Sequence, residues 1–167
     1  MKHFKNFKTC VYCTAQTLAS LDETTLARDY AYLEKYVGID KVYLETYRDG
    51  TWVAIDHMKM IQNFFKEHGV EIAGGITAVT PPLEKDDAKR QRLFQTFCYS
   101  NETMRTYLKK IVTYTAELFD EIILDDFFFT SCTCDDCLRE RSNLSWAEFR
   151  SNKMIDVAEN LVLKPAK

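Results

Sequence analysis

Apolar positions along this chain follow two rhythms. Short runs rich in branched and aromatic side chains read as strands, and longer stretches whose apolar residues recur every three or four positions read as helices. Residues 9–17 predict a first strand. A Ser20-x-x-Glu23 capping box then opens a helix with Leu26, Tyr30, Leu33 and Val37 on one stripe, ended by Gly38. Residues 41–47 predict a second strand closed by an Asp49-Gly50 turn. Met58, Ile61 and Phe65 mark a second helix that stops at His68-Gly69, and residues 70–77 form a third strand. Thr80-Pro81-Pro82 breaks the pattern and a charged stretch, residues 84–92, leads to Tyr99. Asn101 caps a helix carrying Met104, Leu108, Ile111, Thr115 and Leu118. A fourth strand starts at Glu121, and a second box, Ser145-x-x-Glu148, opens a last helix that ends near Pro165.

Strand and helix thus alternate four times, which implies parallel strands joined by right-handed crossovers, in a doubly wound sheet or a barrel. A dinucleotide-binding sheet would carry G-x-G-x-x-G after its first strand, and residues 12–20 contain no glycine. The pattern therefore predicts an α/β chain of parallel (β/α) units of TIM-barrel type. A full barrel takes about 250 residues, so the 167 residues here amount to about four units of eight. The expected organisation is one domain over residues 1–167, the N-terminal half of a barrel.

Composition narrows the function. Lys and Arg total 22 against 25 Asp and Glu, a net charge of −3, which offers no basic footprint for a phosphate backbone and argues against nucleic acid as partner. No apolar run approaches the roughly 20 residues of a membrane span, and the first eight residues lack the apolar core of a secretory leader. A soluble chain is expected, with the compartment open.

In a barrel, reacting groups sit at the C-terminal ends of strands. The candidates by strand exit are Gln16, Glu45, Thr77, Asp125 and Asp126. Glu45 either faces the mouth or pairs with Arg48 on the rim. Asp125 and Asp126 end an Ile-Ile-Leu strand, and alternation sends their side chains in opposite directions, so only one points inward. Acids at the exit of an apolar strand meet water, a ligand or a cation, because burying them unpaired is costly. Asp126 lies nearer the rim, and the sequence does not separate the two.

The run Ile-Ile-Leu-Asp125-Asp126-Phe-Phe-Phe, the Cys-x-Cys-x-x-Cys that follows and Ser145-Trp146-x-x-Phe149-Arg150 resemble glycoside hydrolases with a (β/α)8 catalytic barrel. In those proteins a fourth strand of this form delivers acids to the sugar cleft. The resemblance is closest over residues 119–150. It implies a carbohydrate substrate, catalytic roles for Asp126, Asp125 and Glu45, and no required cofactor. Glycoside hydrolysis needs two carboxyl groups about 5 to 9.5 Å apart, and in many such barrels the second comes from a later strand. Around these acids, Arg48, Trp52, Tyr99 and Phe128 are candidate substrate-binding residues, the aromatic ones by stacking on sugar faces.

Cys132, Cys134 and Cys137 have the spacing of a metal cluster, with Cys98 as a fourth ligand of a structural zinc. A disulfide or unlinked thiols are the alternative. Cys10 and Cys13 are expected at the far end of the barrel. None of His3, His57 and His68 forms H-x-H or H-E-x-x-H, and no serine elbow or Walker loop occurs. Three readings stay open: a carbohydrate-cleaving half-barrel, a noncatalytic carbohydrate-binding or assembly half-barrel, and a zinc-stabilised module. Since half a barrel leaves two sheet edges uncovered, a homodimer or a missing C-terminal half is the expected partner.

Overall fold

A computed structural model describes residues 4–79, 91–125 and 128–167. Asp126, His3 and the Thr80-Pro81-Pro82 break lie outside the described residues, with most of the charged stretch after it. The strands are β1 (Cys10–Cys13), β2 (Lys41–Arg48), β3 (Thr51–Trp52), β4 (Glu71–Ile76) and β5 (Ile122–Leu124). The helices are α1 (Ala15–Ser20), α2 (Glu23–Tyr36), α3 (Ile55–Glu67), α4 (Glu102–Ala116), α5 (Asp135–Arg141) and α6 (Trp146–Val157), which runs on into a π-helical turn, Ala158–Leu163.

The sheet order is β1-β2-β4-β5, every pair parallel, with β3 folded back antiparallel on β2. This is the expected mixed α/β architecture of successive parallel βα units, part of a β/α barrel. One side of the sheet packs against helices in two blocks. Val42 and Leu44 of β2 meet Leu18, Leu26, Met58, Ile61 and Phe65, while Tyr47 and Ile76 meet Leu108 and Ile111 of α4 and Phe149 and Val157 of α6. Each such burial contributes about 1.5–3 kcal/mol.

A bulge in β2 serves both sides of the sheet. The ladder with β4 pairs Glu45 with Gly75 and then Tyr47 with Ile76, skipping Thr46. Glu45 therefore lies on the side away from the helices, while Tyr47, two residues on, joins the α4 core. Two adjacent glycines of β4 admit close neighbours on opposite sides. A Cβ on Gly74 would meet Phe119 and Thr115 at 2.8 Å, and one on Gly75 would meet the Tyr12 hydroxyl at 2.7 Å.

The structure corrects three local readings and extends a fourth, the Asp49-Gly50 turn. Residues 9–17 are not one strand: the Thr14 side chain accepts from the Thr17 N–H and starts α1, so Gln16 is helical and no strand exit. The box that opens α2 is Asp22 with Thr25, while Ser20 ends α1 with its hydroxyl bonded to the Thr17 carbonyl. Asp49 and Gly50, at φ 50° and 79°, do more than close β2: they form a two-residue hairpin loop whose positive φ values suit Asp-Gly. Cys13 closes β1 at its C-terminal end, the end of the sheet at which Glu45 lies, and not at the far end. No helix among the described residues is long and apolar enough to cross a membrane.

Candidate functional site

The C-terminal ends of β1, β2, β4 and β5 bring Tyr12, Glu45, Arg48, Thr77 and Asp125 together. Glu45 is fully buried, and both its oxygens are taken. Oε1 accepts from the Tyr12 hydroxyl at 2.8 Å and from the Thr77 hydroxyl, and Oε2 accepts from the Ala15 N–H at 2.7 Å. Arg48 Nε donates to both oxygens, at 3.0 and 2.9 Å. The same guanidinium donates through Nη2 to Asp125 Oδ2 at 2.8 Å, and the Thr77 hydroxyl lies 3.4 Å from that oxygen. One arginine and one threonine thus span two carboxylates. Such pairing offsets the desolvation of charges that, unpaired, would cost several kcal/mol each.

The neighbouring groups fit this arrangement. Burial first, then the charge of Glu45, pushes the Tyr12 hydroxyl well above the usual tyrosine range, so it stays a proton donor. Burial, again seconded by Glu45, pushes the Cys13 thiol up to about 11, which leaves it protonated and unreactive near neutral pH.

The other expected residues are placed as follows. Asp125 is the carboxylate with access to solvent, its side chain 24% exposed. Tyr99 and Phe128 line one small pocket with Asp125, of about 10 Å³, enough for a single water. Phe128 is exposed at the rim, whereas Tyr99 is 1% exposed, so its ring is enclosed by protein and presents no face for stacking. Trp52 stands apart: its indole N–H donates to the Tyr107 hydroxyl at 2.8 Å, and its ring packs edge-on against Tyr47, Tyr107 and Tyr114. Sequence reasoning missed Tyr12. The available signal was alternation, which sets Tyr12 on the face of β1 opposite to Val11 and Cys13. His57 and His68 bond the backbone carbonyls of Leu18 and Phe64, away from the acids.

A second cluster lies beyond the exit of β5. Cys98, just before α4, meets Cys132, Cys134 and Cys137, all four sulfurs within 4.8 Å of one another. Hydrogen bonds from the Cys137 and Cys98 thiols hold Cys132 far below the usual thiol range, and the same contacts push Cys98 up.

Parallel strands whose terminal acids meet on one side of the sheet define this chain as part of a β/α barrel with a polar strand-end site. It belongs to the family described as "Probable glycosyl hydrolase, catalytic domain", which matches residues 1–167. It is also 33% identical, over an alignment of 187 residues, to "Uncharacterized protein SSO3021" of Saccharolobus solfataricus. That alignment takes in 98% of this chain and 31% of the relative, so the chain spans about a third of the relative's length. No solved structure matches.

Proposed function

We propose that this chain supplies part of the catalytic cleft of a carbohydrate-cleaving hydrolase, with Asp125 as the group that reaches substrate. The supporting observation is the Glu45–Arg48–Asp125 chain at the strand ends. Both side-chain contacts that the described residues make to Asp125 fall on Oδ2, and Oδ1 is the oxygen assigned to a sugar hydroxyl, a water or an anomeric carbon. Glu45, with both oxygens saturated, acts through Arg48 as a positioning residue. The partner carboxyl that glycoside hydrolysis requires is then Asp126 or an acid from a later strand of a longer protein, and Phe128 supplies a rim aromatic.

Turnover of a panel of chromogenic glycosides, by this chain and by any longer parent, tests the reading. Asp125→Asn and Asp126→Asn should each be made. Loss of at least about 100-fold for one of them, with the circular dichroism unchanged, supports the assignment. Turnover indifferent to both removes it. The noncatalytic reading, a carbohydrate-binding half-barrel paired with a second copy, is favoured by the complete internal pairing of Glu45. Sugar binding by a dimer without turnover would select it.

A further inference from the structure

We propose that Cys98, Cys132, Cys134 and Cys137 form a structural zinc site that ties the segment after β5 to the start of α4. The sulfurs of Cys98, Cys134 and Cys137 are 3.6, 3.7 and 3.8 Å apart, and the Cys132 sulfur lies within 4.8 Å of all three. Zinc bound by four thiolates at about 2.3 Å places neighbouring sulfurs about 3.8 Å apart. A disulfide brings two sulfurs to about 2.05 Å, and none of these cysteines is so paired. The enclosed space suits one ion rather than an iron–sulfur cluster.

The surroundings fit a closed, structural site. Cys98, Cys132 and Cys137 are 1–2% exposed and Cys134 is half-buried, so no open position is left for a water or a substrate. A polar group also faces the sulfurs: the Ser100 hydroxyl lies 3.4 Å from the Cys137 sulfur. Metal ligands characteristically receive such outer contacts. Cys98 precedes the Asn101 cap of α4, and Cys134 and Cys137 lie at the start of α5. The ion therefore fastens the stretch that carries Phe128 and follows Asp125. The site stands on its own geometry, whatever the carbohydrate reading.

The test is metal analysis of the 167-residue chain, purified with reductant and dialysed against metal-free buffer. The expected result is one tightly held zinc per chain, released as a mercurial titrates four thiols. Replacement by cobalt(II) should give the visible bands and thiolate charge-transfer absorption of a tetrahedral four-sulfur site. Cys134→Ser, the least buried position, should lose most of the zinc on dialysis. If that variant fails to fold, the cobalt spectrum of the unaltered chain decides. A folded, reduced chain without stoichiometric zinc, one that holds iron instead, or a cobalt spectrum lacking thiolate ligation would overturn the proposal.

Discussion

Arg48 is the residue through which the strand-end site is assembled, since its guanidinium donates to Glu45 at 3.0 and 2.9 Å and to Asp125 at 2.8 Å, with the Thr77 hydroxyl spanning the same two acids. Glu45→Gln keeps the shape but aims an amide at groups that donate. Removing one member of a buried pair typically costs about 3–5 kcal/mol, so a fall of about 3 kcal/mol is expected, read from the urea midpoint. A midpoint unchanged from the parent would show that Glu45 is not the anchor of Arg48. Gly75→Ala acts from the other side, because the new methyl meets the Tyr12 hydroxyl. Overpacking of this kind costs about 1–3 kcal/mol, and wild-type stability in that variant would contradict the close approach. At this scale the acids and Arg48 were legible, because charge at the end of an apolar strand is conspicuous. Tyr12 and the enclosure of Tyr99 were not, since both depend on which strand lies next to which.

Helix ends were the most legible elements. Asn101 caps α4, and Ser145 with Glu148 forms the box that starts α6. Ser145→Ala should cost about 1 kcal/mol, measured as a lowered thermal midpoint; an unchanged midpoint would mean the cap contributes nothing. α5 went unread, although acids in its first turn and arginines in its last complement the helix dipole. Its seven residues are too few for an apolar stripe to show. β3 was hidden for a related reason: two residues carry no alternation, and only the Asp-Gly turn announces the hairpin.

α6 is also held to α4 by charge, Arg105 donating to Asp156 at 2.7 Å. That hydrogen bond, opposed by burial and helped by Asn160, holds the Asp156 carboxyl below the usual range. Its contribution is complete above the unfolded value of about 3.9 and is lost as pH falls through the lower folded value. Asp156→Asn should therefore lower stability near neutrality by about 0.2–1 kcal/mol, as for a partly exposed pair. It should also flatten the acid limb of the thermal midpoint against pH; a limb as steep as the parent's would refute this.

For the whole molecule, sheet order decides where the fold is firmest. β2 and β4 each have neighbours on both sides, while among the described residues β1 and β5 have one apiece. Hydrogen exchange should be slowest at Val42–Glu45 and Ile72–Gly75 and faster in β5, and the reverse order would contradict the topology. Parallel βα alternation was readable because each unit repeats the same change of hydrophobic period. The convergence of Cys98 on the later cysteines was foreseeable only as a hypothesis, since spacing supplies three ligands and the fold the fourth.

The skipped residue in β2 carries a consequence for how this chain tolerates change. Deleting Thr46 would restore an unbroken ladder and leave Tyr47 beneath α4, since the residue after Glu45 points opposite to it, but it would remove the buried hydroxyl that meets Thr115 of α4 and the Gly75 carbonyl. The extra residue thus lets two consecutive side chains, Thr46 and Tyr47, furnish the helix side of the strand behind an acid that furnishes the other.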